Sequence, residues 1–131
     1  MRSADTSVKR ILVVEDEPAI RDLCRRTLGA EGFKVDVAND GEEAQGKIAE
    51  SQYDLLFIDV RLPKMSGREF FEWLQNKHPQ LAARVAFTTG SVTSEEMTVF
   101  LEQSGRPCLF KPFGRDELTA FIREVLEKIE K

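Results

Sequence analysis

Two cysteines, one histidine, one tryptophan and one tyrosine are all that this 131-residue chain has of those types, and it has no long hydrophobic run. Its apolar stretches stop after four or five residues, as in ILVV at 11–14 and LLFI at 55–58, far short of the roughly 20 a membrane-crossing helix needs. The opening MRSADTSVKR lacks the apolar segment of a secretory signal. Positive charge is not in excess: 19 Lys and Arg against 23 Asp and Glu leave a net charge of −4, whereas nucleic-acid backbone binding needs a basic face. Cys24 and Cys108 lack CxxC spacing and sit in apolar surroundings, so two reduced, buried thiols are expected, not a disulfide. No Walker loop or glycine-rich nucleotide fingerprint occurs. No repeat, low-complexity tract or internal linker divides the chain. These absences point to a cytoplasmic protein that binds neither nucleic acid nor membrane directly.

What is present suits one domain. A hydrophobic fraction of 41% with 32% charged residues is that of an ordinary globular chain with a single core. Residues 1–8 read as a flexible leader and 9–131 as the domain. Within it, strand and helix signals alternate. ILVV is followed by Glu17-Pro18, a helix start, because proline in the first turn sacrifices no hydrogen bond. Ile20, Leu23, Cys24 and Leu28 recur at helical spacing, and Gly32 supplies a left-handed stop. Phe33–Val37 alternates as an edge strand does. Asp40-Gly41-Glu42-Glu43, Ser66-Gly67-Arg68-Glu69 and Thr93-Ser94-Glu95-Glu96 each have the side chains that open a helix. LLFI is apolar throughout, as a central strand covered on both faces should be. Gly105 closes the fourth helix. Leu118, Phe121, Ile122, Val125, Leu126 and Ile129 form one stripe of the last. Five strands and five helices in alternation predict an α/β fold with a doubly wound parallel sheet.

The strand candidates end on chemically useful residues. ILVV runs into Glu15 and Asp16, LLFI into Asp59, VAF (85–87) into Thr88 and Thr89, and CLF (108–110) into Lys111. Parallel neighbours would deliver these acids, hydroxyls and amine to one crevice, where open α/β sheets bind ligands. That set suits a phosphoryl group and a magnesium ion. Asp54 also lies near LLFI, but at the strand start, on the opposite rim, where it reads as a cap.

VVEDEP (13–18), FIDVRLPKMSG (57–67), TTG (88–90) and LFKPF (109–113) together resemble the receiver domain of response regulators, the phosphoacceptor half of two-component signalling. Separations of 43 residues from Asp16 to Asp59, 30 to Thr89 and 22 to Lys111 match that family. The resemblance covers residues 9 to 129 and implies a flavodoxin-like (βα)5 fold of strand order 2-1-3-4-5. It implies Asp59 as the phosphoacceptor, since a carboxylate can hold a phosphoryl group as an acyl phosphate. Mg²⁺ is implied at Asp16 and Asp59 directly, at Glu15 through water and at the Arg61 backbone carbonyl; a metal between an acid and a phosphate turns repulsion into attraction. Crowded acids should also show raised pKa values without metal. Lys111 would stabilise the phosphoryl oxygens, before a Lys111–Pro112 bond that is typically cis in the family. Thr89, favoured over Thr88 by family spacing, would bond the phosphate, with the Gly90 N–H beside it. Glu17 is read as a partner of the first helical turn.

The implied partners are a sensor histidine kinase or histidine phosphotransfer protein and an unidentified downstream protein. The chain is expected to be a regulatory phosphoacceptor and not an enzyme with its own substrate. One position departs from the family: Cys108 stands where many receivers carry a Tyr or Phe that turns inward on activation. GRPCLFKPF resembles receivers attached to hybrid sensor kinases more than those driving DNA-binding output. Two other readings compete. A pseudo-receiver binding module predicts a damaged acid pocket, and a haloacid-dehalogenase-like phosphohydrolase wants an acid two residues after the nucleophile, where Arg61 stands. His78, before Pro79, reads as a helix-end partner, Phe70, Phe71 and Trp73 as core and partial surface, and Glu127 and Lys131 as a surface pair.

Overall fold

A computed structural model describes residues 8–90 and 94–130. The leader therefore lies almost wholly outside the described residues, as do Thr93 and Lys131. Five strands, β1 (Arg10–Val14), β2 (Lys34–Ala38), β3 (Leu55–Asp59), β4 (Val85–Thr89) and β5 (Cys108–Phe110), form one sheet. All neighbours are parallel, in the order β2-β1-β3-β4-β5, as expected.

The helices among the described residues are α1 (Pro18–Ala30), α2 (Gly41–Glu50), α3 (Gly67–Lys77), α4 (Pro79–Ala82), α5 (Glu95–Ser104) and α6 (Arg115–Ile129). Six replace the five expected. The extra one, α4, is a single turn with Pro79 at its start, too short to generate a periodic pattern of its own.

Strand alternation explains why both faces of the sheet are covered. Leu12, Val14, Leu56, Ile58, Val85 and Phe87 point into one core with Ala44 and Ile48 of α2, Phe70, Phe71 and Leu74 of α3 and Phe100 of α5. Ile11, Val13, Leu55, Phe57 and Ala86 point into the other, with Cys24 and Leu28 of α1 and Leu118, Ile122, Val125 and Leu126 of α6. Leu55 and Leu56 are consecutive, both fully buried, and belong to different cores. Each such side chain contributes about 1.5–3 kcal/mol by leaving water, so neither face can be stripped of its helices.

Local signals set the element ends. Asp40 accepts from the Glu43 N–H at 2.8 Å, but the Glu43 carboxylate bonds the Asn39 N–H and not the cap residue's own. Ser66 and Glu69 make the full reciprocal box. Ser94 caps α5 by accepting from Met97 N–H. Gly114 N–H donates to Glu117 at 3.0 Å at the start of α6. Gly32 and Gly105 take the left-handed backbone predicted at helix ends, with φ of 97° and 69°. β2 runs one residue later than the Phe33–Val37 alternation suggests and is an edge, as predicted. Asp36 on it is not turned to open water: Tyr53 O–H donates to it at 2.7 Å and Arg10 pairs with it. Asp54 accepts from Arg10 N–H at 2.8 Å on the far rim, the capping role expected of it.

Candidate phosphoryl and metal site

The C-terminal ends of β1, β3 and β5 meet around one ammonium. Lys111 Nζ lies 2.9 Å from Asp59 Oδ2, 2.7 Å from Glu17 Oε1 and 2.9 Å from Glu15 Oε1. Glu15 and Asp59 are buried, Lys111 nearly so, and Glu17 is exposed. The register explains the meeting: Val14 is opposite Ile58, so Glu15 and Asp59 leave adjacent strands at one level. The Lys111–Pro112 bond is cis. Asp59 has its second oxygen held by the Arg61 N–H at 2.9 Å, a short local turn that aims the carboxylate at the crevice.

Charge in the cluster is unbalanced, with three carboxylates around one cation. Burial above all, and the Asp59 charge beside it, raise the Glu15 carboxyl from 4.5 to about 7, against the pull of Lys111 and of the Glu17 N–H. Crowding of acids is expected to raise carboxyl values, but at Glu15 burial is the larger cause and the neighbouring Asp59 charge only adds to it. Burial pulls Lys111 down, but its contacts with Glu17, Asp59 and Glu15 outweigh that and hold it above its ordinary value. The 2.9 Å contact of Lys111 with Glu15 Oε1 is an ion pair less well aligned than the hydrogen bonds to Glu17 and Asp59, which leaves this buried oxygen the least satisfied of the three acceptors.

The other predicted residues take varied places. Asp16 is exposed and stands outside the group of carboxylates, Glu15, Glu17 and Asp59, whose oxygens lie within 4.8 Å of one another. Glu17 is a correction: it occupies the cap position of α1, but its side chain makes no capping bond and reaches Lys111 instead. Nothing in local spacing signals that reach, because its partner is 94 residues away in sequence. Thr88, not Thr89, is the residue in register with Asp59. Both are buried, and Thr88 Oγ1 has no hydrogen-bond partner. Thr89 closes β4, its carbonyl accepting from the Lys111 N–H at 2.9 Å. Arg61 is exposed beyond its backbone bond to Asp59, and a Cβ at Gly90 would meet nothing within 4 Å.

A family model described as the response regulator receiver domain matches residues 11–123. The chain belongs to that family. Among its relatives is the response regulator MprA of Mycobacterium leprae, 36% identical over 119 residues, which cover 91% of this chain and 51% of that protein. The chain thus spans about half the length of the curated relatives it matches. A CheY-like receiver of Methanospirillum hungatei superposes with a TM-score of 0.85 at 33% identity, covering 95% of this chain and 98% of that one. The chemotaxis regulator CheY4 of Vibrio cholerae gives 0.81 at 29% identity, with coverages of 91% and 99%. The protein is a receiver domain of the kind found in two-component response regulators, and none of its described helices is long and apolar enough to cross a membrane.

The receiver's acidic pocket suits a hard cation. Mg²⁺ prefers a few carboxylate oxygens with water, and the poorly satisfied buried Glu15 oxygen, beside Asp59 and Glu17, offers that donor set.

Cys108 is the visible departure at the pocket's margin. It is half-buried, not fully buried as expected, and sits opposite Phe87 in register. Phe87, Phe71 and Phe100 form a triangle of edge-on rings 5.4 to 6.0 Å apart on that side of the sheet. Both thiols are free. Burial first, then the charges of Glu15 for Cys24 and Asp59 for Cys108, push them up to about 12 and about 11. The raised value at Cys108 lowers its thiolate fraction at pH 7.5 by about a hundredfold, and the greater nucleophilicity of a higher-pKa thiolate offsets about tenfold of that. Titration with an aromatic disulfide reagent should therefore show Cys108 reacting about tenfold more slowly than a free thiol, and Cys24 reacting only after unfolding.

Proposed function

We propose that Asp59 accepts a phosphoryl group from the phosphohistidine of a sensor kinase or histidine phosphotransfer protein, with Mg²⁺ held by Asp59, by Glu15 through water, by the Arg61 carbonyl and by Asp16, which would turn in from its exposed position beside the Glu15, Glu17 and Asp59 oxygens. A carboxylate oxygen of Asp59 attacks phosphorus, the phosphorus–nitrogen bond breaks, and its electron pair returns to the imidazole. Water later attacks the same phosphorus, and the Asp59 carboxylate leaves with the electron pair of the bond that breaks, giving inorganic phosphate. Lys111, already 2.9 Å from Asp59, offsets charge that develops on the phosphoryl oxygens. Thr89 and the Gly90 N–H bond the transferred group. When bound, Mg²⁺ supplies the positive charge that lets an anion approach three carboxylates.

The observation that carries this reading is the lysine ammonium shared by Asp59, Glu15 and Glu17 at the strand ends. A pseudo-receiver would have lost part of that set, and no residue of it is missing here. Output passes through contacts with a downstream protein, in the cytoplasm. Cys108 separates the two halves of the proposal, because phosphoryl transfer needs no ring at that position, whereas a ring-driven relay does.

Incubation with acetyl phosphate and Mg²⁺, followed by intact mass measurement, tests the chemistry. The mass of one phosphoryl group should appear, disappear with hydroxylamine as an acyl phosphate does, and form at least about tenfold more slowly with a chelator, since one lost electrostatic stabiliser costs that much or more. Equal labelling with and without metal would contradict the magnesium part. No labelling at all would favour the binding-module reading.

A further inference from the structure

The loop from Val60 to Ser66 joins the acceptor strand to α3. Its near end is fixed by the Arg61 N–H on Asp59 and its far end by the Gly67 N–H on the Val60 carbonyl at 2.9 Å. Between these anchors, Lys64 adopts a left-handed backbone with φ of 68°, costly for a residue with a side chain. That turn places Met65 on the first turn of α2. A Cβ on Gly41 would lie 2.9 Å from Met65 Sδ, 3.3 Å from its Cβ and 3.4 Å from its Cγ, so any side chain at residue 41 would push Met65 off this seat. Gln45 reaches Met65 Sδ at 3.9 Å. Lys64 Nζ lies 3.6 Å from both Asp40 and Glu42. Consecutive loop residues are thus tied to one helical turn that has no part in the acid cluster.

We propose that Met65, seated over Gly41, is a positioning residue that holds the acceptor loop, and with it the Arg61 backbone, in the geometry Asp59 needs. The inference rests on the reading of Asp59 as phosphoacceptor. It also makes the first turn of α2 part of the acceptor's support, although no residue there touches the pocket.

Amide hydrogen exchange in the 60–66 segment tests it without phosphate or metal, and phosphoryl gain from acetyl phosphate with Mg²⁺ adds the functional readout. Alanine is the better helix former, so if Gly41 served only α2, Gly41→Ala would leave loop exchange unchanged or slower. With the peg displaced, exchange in 60–66 should instead rise at least about fivefold in Gly41→Ala and in Met65→Ala. Met65→Leu, which conserves volume, should stay near the wild type. Labelling should slow about tenfold in the two alanine variants, as small misplacements of a reacting group do. The double variant should be no worse than the more impaired single one, because the new methyl enters the space Met65 vacates. Unchanged exchange in both single variants, or effects that multiply in the double, would overturn the proposal. Should Gly41→Ala not fold, Met65→Ala against Met65→Leu makes the same comparison. An unlabelled wild type would refute the acceptor reading, while the exchange result would still decide the role of Met65.

Discussion

Lys111→Met should destabilise the protein most at high pH. The substitution keeps much of the side chain's length and removes the cation that three carboxylates share. Breaking a buried ion pair by deleting one partner costs about 3–5 kcal/mol. Here Glu17 is exposed and solvated, and Glu15 can take up a proton, so about 2–3 kcal/mol at pH 8 is expected after that discount. The sign with pH follows from Glu15, whose folded pKa stands at about 7 against 4.5. A raised pKa means that the group's stabilising contribution is complete below pH 4.5 and is lost as pH rises through 7. Removing Lys111 takes away one of the influences that lower it, so the window widens upward. Urea unfolding should show a small deficit for Lys111→Met at pH 5 and a large one at pH 8, partly recovered by Mg²⁺. The rate of phosphoryl gain should fall by about 10²–10³, as when a preorganised charge stabiliser is deleted. A deficit that does not vary with pH would contradict the cluster as described.

Gly67→Ala should be nearly as damaging, for a steric reason. A Cβ there would stand 2.7 Å from Val60 Cα, 2.8 Å from the Asp59 carbonyl oxygen and 3.0 Å from that of Val60. All three are backbone atoms at the end of the central strand, so no side chain can swing away. Helix propensity favours alanine over glycine by about 1 kcal/mol, but overpacking against immovable backbone costs about 3 kcal/mol. The clash wins. It acts on the segment that aims Asp59, so thermal unfolding should shift down and phosphoryl gain should drop together. Gly90→Ala, with open space around its Cβ, should leave stability unchanged. Equal stability of Gly67→Ala and the wild type would show that α3 does not press on the acceptor strand.

Much of this was readable from the chain alone, for definite reasons. Apolar runs of four residues with turn chemistry on both sides identify buried parallel strands, and serine or aspartate three residues before glutamate identifies helix starts. Asp59, Glu15 and Lys111 converge because strand ends are reliable places. What resisted reading depends on side-chain direction and on long-range contact. Glu17 and Asp16 are neighbours in one acidic run, yet the first turns to Lys111 and the second faces solvent. Spacing cannot tell them apart, since the deciding cation arrives from β5. Thr88 and Thr89 present the same difficulty, because alternation separates their faces without saying which hydroxyl the pocket uses. The seat of Met65 over Gly41 joins the loop after β3 to the first turn of α2, and neither residue type announces a contact.

The central claim is that Asp59 is the phosphoacceptor. After incubation with acetyl phosphate and Mg²⁺, the wild type should gain one phosphoryl group and Asp59→Asn none, while Asp54→Asn, on the opposite rim, should label like the wild type. Labelling that persists in Asp59→Asn, or a wild type that stays unlabelled, would contradict the account.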